Sequence, residues 1–201
     1  MSQTTAEDIS SFISELNSET DRGLPLVAMA VVDDRLLETL RAFFCEGPSA
    51  AKLLDEGQAA LGTLSARTEA CYALGLIDSF EHRQITSMRK IRNEFAHALH
   101  GITFKTPRVQ GFCSGLEVED VTGGVYSSNE PRARFIAAAV NMVMRLYFRP
   151  AWVQAERRQP KTWVNPDDLR WRNVDSEPPP DDTPVLVIGK HIGVARRLLK
   201  K

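Results

Sequence analysis

Apolar residues recur at intervals of three and four along most of residues 1–150, and this spacing constrains the fold more than any other feature of the chain. Such a period is typical of amphipathic helices, whereas half-buried strands alternate every second residue. This part of the sequence has no strand-rich region and no internal repeat. The pattern predicts helices over about 5–17, 25–44, 49–55, 63–74, 79–99, 106–116 and 131–150. We therefore expect an all-α domain, a compact bundle of six to seven helices.

The composition changes after residue 150, so we expect a helical domain over 1–150 and a C-terminal extension over 151–201. The extension contains all three tryptophans, a proline-containing linker at 178–182 and ten Lys/Arg against seven Asp/Glu. Residues 185–188 predict a short strand and 191–201 a short basic helix. Four residues of this tail are candidates for a nucleic-acid contact, with a solvated terminus as the favoured alternative: Arg196, Arg197, Lys200 and Lys201.

Charge and cysteine usage exclude several classes of protein. The formal net charge of −1 gives no general attraction to nucleic acid or to an anionic membrane. The three cysteines, Cys45, Cys71 and Cys113, are far apart and form no C-x-x-C pair, which argues against a disulfide framework or a metal site. The longest apolar run, 24–32, is too short to cross a bilayer. We expect a cytoplasmic protein with no cofactor, since the sequence also lacks a phosphate-binding glycine loop and an H-E-x-x-H motif.

The helix expected over 79–99 carries the residues most suited to function. At about 100° per residue, its apolar positions form one stripe: Ile85, Met88, Ile91, Phe95 and Leu99. Its polar positions form an adjoining edge: Arg89, Asn93, His97 and His100. Arg92 falls inside the apolar stripe, where a guanidinium is costly without an anion.

A structural ion pair is one interpretation of Arg92. The candidate partners are Asp21, Asp33 and Asp34, which would lock this helix to the long helix over 25–44. Asn93 lies one turn before His97, so its amide could hydrogen-bond the imidazole and fix its tautomer. The alternative for His97 is a half-buried histidine favoured by the helix C-terminus.

Three stretches of the chain resemble the mannitol operon repressor family. They are 19–23 (ETDRG) leading into the apolar helix, 61–67 (LGTLSAR), and 73–77 (ALGLI) followed by 91–97 (IRNEFAH). The resemblance runs in order over about 5–148. It implies a compact helical fold, a homodimer and a role in regulating gene expression. Because the sequence has no convincing helix-turn-helix, a non-enzymatic regulator that acts through a protein partner, or through weak nucleic-acid contact, fits the residues better than a DNA-binding repressor.

The spacing of Arg92 and His97 also resembles the Arg-x4-His signature of HEPN domains. That resemblance implies a HEPN-like bundle, and for active members a metal-independent endoribonuclease or toxin working at a dimer interface. His97 would then transfer protons at a ribose 2′-hydroxyl, Arg92 would hold the phosphate and Asn93 would orient the site. A helical module that binds a small molecule or nucleotide is the third hypothesis.

Overall fold

The computed structural model describes residues 6–55, 59–118 and 130–163, together with strand segments at 170–173, 185–188 and 195–197. The chain divides into two compact units, Met1–Gln159 and Pro160–Lys201. The sequence-based division after residue 150 falls inside a helix of the first unit.

Helices make up most of the described part of the first unit, which confirms the expected helical bundle. They are α1 (Ala6–Ser18), α2 (Gly23–Phe43), α3 (Pro48–Leu54), α4 (Leu64–Ala73), α5 (Ser79–His97), α6 (Pro107–Ser114), α7 (Pro131–Tyr147) and α8 (Arg149–Val153), with a 3₁₀ turn at Gln154–Glu156. No helix among the described residues has both the length and the apolar character needed to span a membrane.

Helix α2 is the centre of the bundle. It packs against α1, α4, α5, α7 and α8, and α5 and α7 also pack against each other. A helix that is apolar on most of its circumference needs neighbours on several sides, and α2 has them. Its buried side chains include Leu24, Ala28, Met29, Val32, Leu36, Leu40 and Phe43.

Capping residues set the boundaries between α4 and α5. Gly75 has a positive φ of 72° and closes α4, while the Leu76 N–H donates to the Cys71 carbonyl at 2.8 Å. Helix α5 then begins with a capping box. The Glu81 N–H donates to Asp78 Oδ1 at 2.8 Å, and the Asp78 N–H donates to Glu81 Oε2 at 2.9 Å.

The end of the first unit is held to the end of α2. Arg157 Nε donates to the Ala42 carbonyl at 3.0 Å, and the Arg158 N–H donates to the Phe43 carbonyl at 2.8 Å. The Arg158 guanidinium also lies over the Phe43 ring, 4.9 Å from its centroid. These contacts explain why the helical unit continues past Pro150, which lies in the first turn of α8.

The second unit contains a small sheet among its described residues. Its strands are β1 (Arg170–Asn173), β2 (Val185–Ile188) and β3 (Ala195–Arg197), in the order β1-β2-β3. β1 pairs with β2 in parallel, and β2 pairs with β3 antiparallel, with Val187 opposite Arg196. The strand expected at 185–188 is present.

The basic helix expected over 191–201 is wrong where the structure describes that segment. Arg196 and Arg197 lie in β3, because an isolated helix of about eleven residues is marginal while β2 offers a paired edge. Lys200 and Lys201 lie outside the described residues. The nucleic-acid role of this tail stays a prediction.

Candidate functional site

Helix α5 presents its apolar stripe to the core as predicted. Ile85, Met88, Ile91 and Phe95 are completely buried. Leu99, expected in the same stripe, is 86% exposed, because α5 ends at His97 and the chain leaves the helical register before residue 99.

A cleft of about 450 Å³ lies between α2, the start of α4 and α5, and we call it the α2–α4–α5 cleft. One part of its wall is apolar and comes mainly from α2, including Leu26 and Met29. The other part carries the polar side chains Asp33, Thr63, Ser65, Arg89, Arg92 and Asn93. Two of the three stretches that resemble the repressor family, 61–67 and 91–97, therefore meet at this cleft.

Arg92 is half-buried at the cleft wall and makes one hydrogen bond to a neighbouring side chain. Its Nη1 donates to Asn93 Oδ1 at 3.2 Å. Among the described residues no carboxylate lies within ion-pair distance of Arg92, so none of the three expected pairs is formed there. The helical wheel places Arg92 inside the apolar stripe, whereas in the structure Arg92 is half-buried at a cleft. A guanidinium in that position does not need a carboxylate partner.

The three expected carboxylates contact other arginines. Asp34 Oδ2 accepts from Arg35 at 2.5 Å, and Asp33 Oδ2 pairs with Arg67 Nη1 at 2.8 Å. Arg67 also donates from Nε to the carbonyl of residue 61 at 2.8 Å, which fixes the loop before α4. The second oxygen of Asp33, Oδ1, is buried without a hydrogen-bond partner among the described residues.

The segment 19–23 acts as a structural junction. Asp21 pairs with Arg132 Nε at 3.3 Å and accepts from the Phe104 N–H at 3.2 Å. Arg132 also donates to the backbone carbonyls at and just after the end of α1. Arg22 Nη2 donates to the Ala98 carbonyl at 2.9 Å, which caps the C-terminal end of α5. This first stretch of the family resemblance therefore joins α1, α5 and α7 and does not line the cleft.

His97 is the last residue of α5 and is exposed. It is not among the residues that line the α2–α4–α5 cleft. The expected Asn93–His97 hydrogen bond is not found among the described contacts, and the Asn93 oxygen accepts from Arg92 instead. The structure thus brings Arg92 and Asn93 together and places His97 beyond them, at the helix end.

Sequence reasoning missed the most deeply buried charge. Glu81 is completely buried and pairs with Arg149 through two contacts, Nη2 to Oε1 at 2.7 Å and Nη1 to Oε2 at 3.2 Å. Arg149 Nη1 also donates to the Leu76 carbonyl at 2.5 Å. Glu81 also closes the capping box with Asp78, and no local pattern indicates a partner 68 residues later along the chain.

The buried thiols are not suited to nucleophilic chemistry. Burial raises the pKa of Cys71 and of Cys113 to about 12, so both are protonated at neutral pH. No group of three or more His, Cys, Asp or Glu side chains within the described residues could hold a metal ion.

An apolar surface lies on another side of the bundle, where α7 meets α8. We define the Trp152 surface by Met144, Tyr147, Phe148 and Trp152. Trp152 is 63% exposed and Phe148 51%, and their rings stack with centroids 6.4 Å apart. Met144 and Tyr147 also line an apolar groove of about 400 Å³ between α1, α2 and α7.

Comparison with known proteins gives a structural likeness. No protein-family model and no curated protein sequence matches this chain. A chain in the X-ray structure of the MtlR–HPr complex from Escherichia coli is similar in fold, with a TM-score of 0.53 over 69% of this chain and 97% of that chain. The two sequences are 18% identical. The helical bundle is therefore similar to that of a known protein, and the likeness establishes the fold alone.

Proposed function

We propose that this chain is a non-enzymatic regulator of gene expression that acts by binding a protein partner. The observation that carries the proposal is the Trp152 surface. Met144, Phe148 and Trp152 are exposed and Tyr147 is half-buried, and the surface continues into an apolar groove. Aromatic, Met and Arg side chains are enriched in protein interfaces, and contiguous exposed apolar surface on a folded domain commonly marks one.

The fold likeness supports the choice of partner that we propose. MtlR was crystallised in complex with HPr, and we extend that pairing to this chain as part of the proposal. The rim of the Trp152 surface is charged and includes Arg35, Glu38 and Arg157 around a second, more polar depression. An apolar centre with a charged rim is the usual anatomy of a specific, reversible protein interface. We therefore assign the Trp152 surface to an HPr-type protein.

Calorimetric titration of the full chain with HPr from the organism that encodes it tests this proposal. Trp152→Ala should weaken binding by at least tenfold, since exposed aromatic anchors contribute most of the energy of such interfaces. Trp163→Ala is the matched control, because Trp163 is also exposed, at 78%, and lies outside the helical unit. Its affinity should equal that of wild type.

Two results would reject the assignment. One is wild-type protein that does not bind HPr at millimolar concentration, and the other is a Trp152→Ala variant that binds normally. Analytical ultracentrifugation of wild type and of Trp152→Ala tests whether a second copy of this chain occupies the surface. If wild type is a dimer and Trp152→Ala a monomer, the surface holds a second copy of this chain instead of HPr.

A metal-independent endoribonuclease is the second candidate. The observation in its favour is a half-buried Arg92 that has no carboxylate partner among the described residues, five positions before an exposed His97 on the same helix. An active site of this kind requires a homodimer, in which two α5 helices would bring their histidines together.

Incubation of the protein with mixed RNA in the presence of a chelator tests the second candidate. An enzyme would leave 2′,3′-cyclic phosphate ends, would lose activity in His97→Ala and would keep it in His100→Ala, a neighbouring exposed histidine. The regulator proposal predicts no cleavage by any of the three proteins.

The tail is tested separately by removing residues 160–201. Truncation at this point keeps α8 and the contacts of Arg157 and Arg158 with α2 intact. A nucleic-acid role for the tail predicts weaker DNA or RNA binding and a smaller dependence on salt after truncation. Unchanged affinity and salt dependence would reject that role.

A further inference from the structure

Two arginines of the α2–α4–α5 cleft lack an anionic partner. Arg89 and Arg92 are three positions apart on α5, so their Cβ atoms lie about 5–6 Å apart on neighbouring turns. Both are half-buried and both line the cleft. Among the described residues neither lies within ion-pair distance of a carboxylate. Partly desolvated cations without an internal anion are suited to receive one from outside.

The charge of the cleft indicates the charge of its ligand. Asp33 is the one carboxylate among the cleft-lining residues, and Arg67 neutralises it at 2.8 Å. The charges of Arg89 and Arg92 therefore remain uncompensated within the described structure, a total of two positive charges. A phosphate monoester, which is close to a dianion at neutral pH, matches that charge better than a single carboxylate does. Guanidinium forks also match the geometry of phosphate oxygens.

Hydrogen-bonding groups in the same cleft indicate what else the ligand carries. Asp33 Oδ1 is buried and has no donor among the described residues, so it can accept a hydrogen bond from a ligand. Ser65 lines the cleft, and a serine hydroxyl can donate or accept a hydrogen bond. Leu26 and Met29 form an apolar wall that suits a carbon skeleton or a base. A ligand with free hydroxyl groups and some apolar surface satisfies all of these groups.

We propose that the α2–α4–α5 cleft binds a small phosphate monoester that bears free hydroxyl groups, a class that includes nucleoside monophosphates and sugar phosphates. Arg89 and Arg92 hold the phosphate, and Asp33 and Ser65 hold the hydroxyls. The volume of about 450 Å³ lies within the ordinary range of small-molecule sites. The proposal does not depend on the protein partner, which we place at the Trp152 surface. Binding at this cleft would give the regulator a small-molecule signal.

Calorimetric titration of the full chain with matched probes tests the proposal. The probes are AMP with adenosine, glucose 6-phosphate with glucose, and inorganic phosphate. At least one phosphate ester should bind with at least tenfold higher affinity than its unphosphorylated counterpart and than inorganic phosphate. The AMP and glucose 6-phosphate arms then distinguish a nucleotide from a sugar phosphate.

Variants locate the binding. Arg89→Gln and Arg92→Gln should each weaken binding of the preferred probe by about tenfold or more, since each removes a charge-assisted contact. Arg83→Gln is the matched control, because Arg83 lies on the same helix, is largely exposed and pairs with Glu117 at 3.5 Å outside the cleft. Its affinity should not change.

The proposal is overturned if no phosphate ester binds wild type at millimolar concentration, or if Arg83→Gln weakens binding as much as the two cleft variants do. It is also overturned if the ester and its unphosphorylated counterpart bind equally. Circular dichroism of each variant confirms folding before titration. If Arg92→Gln does not fold, Arg89→Gln and Ser65→Ala are titrated in its place. Unchanged binding in both of these variants rejects the site.

Discussion

The two ends of helix α5 hold charged residues in opposite ways. At its start, Glu81 is completely buried, and every contact it makes is internal, with Arg149 and with the Asp78 N–H. In its second half, Arg89 and Arg92 are half-buried at a cleft and have no carboxylate partner among the described residues. Helix α5 thus contributes Glu81 to a buried ion pair at its start, and in its second half it presents two cations, Arg89 and Arg92, to a cleft.

The difference shows how to separate structural from functional charge in a protein of this kind. A buried charged group whose hydrogen bonds are all made within the fold has none left for a ligand. Its removal leaves its partner buried without a compensating charge. A half-buried cation at a cleft costs less to keep and retains its donors for an outside anion. We therefore assign the start of α5 to stability and its second half to binding.

The largest effect on the free energy of unfolding is expected at the start of α5. Glu81→Gln should lower the free energy of unfolding by about 3 kcal/mol, because it leaves the mostly buried Arg149 guanidinium without its charge partner. Chemical denaturation measures the change. Glu69→Gln is the control, since Glu69 is mostly exposed and contacts His82 at the surface, and it should change stability by less than about 0.5 kcal/mol. Equal losses in the two variants would refute the structural assignment of Glu81.

A smaller loss is expected at the junction formed by residues 19–23. Arg132→Gln removes the ion pair with Asp21 and the contacts with carbonyls at the end of α1, so we expect a loss of about 2 kcal/mol. Arg108→Gln provides a comparison, because Arg108 is 71% exposed and pairs with Glu94 at the surface. An Arg132→Gln variant as stable as Arg108→Gln would mean that the junction does not hold α1 to α7.

The buried thiols predict how the stability of the protein depends on pH. Burial raises their folded pKa to about 12, above the ordinary cysteine value of 9.0, so the folded state binds these protons more tightly than the unfolded state does. The stability they contribute is complete below pH 9 and is lost as pH rises from 9 toward 12, by at most about 1.4 kcal/mol per thiol per pH unit. At pH 8, thiol titration of the native protein should leave Cys71 and Cys113 unreacted. Rapid alkylation of either would contradict their burial.

Much of the fold could be predicted from local sequence. The period of apolar residues located the helices, and the structure confirms a helical bundle built from them. These features act over a few residues, so they can be read in order along the chain. The small sheet was predicted only at 185–188, because β3 depends on pairing with β2 and not on its own residues.

The site could be predicted only in part, for the same reason. The helical wheel placed Arg92 inside the apolar stripe and Asn93 on the polar edge beside it, whereas the structure places both at one cleft. The helical wheel could not show which acidic residues form ion pairs with arginines of other helices. Arg67 and Arg132 pair with Asp33 and Asp21 across distances along the chain that no local pattern encodes.

The unfolding free energy of Arg92→Gln, measured beside Arg149→Gln in a buffer free of phosphate and other polyvalent anions, tests the central claim most directly. Both changes remove one guanidinium from a partly buried position. We predict that Arg92→Gln alters stability by no more than about 1 kcal/mol, the value of its hydrogen bond to Asn93, whereas Arg149→Gln loses about 3 kcal/mol. Equal and large losses in both variants would show that Arg92 is a structural residue, and the distinction between the two ends of α5 would fail.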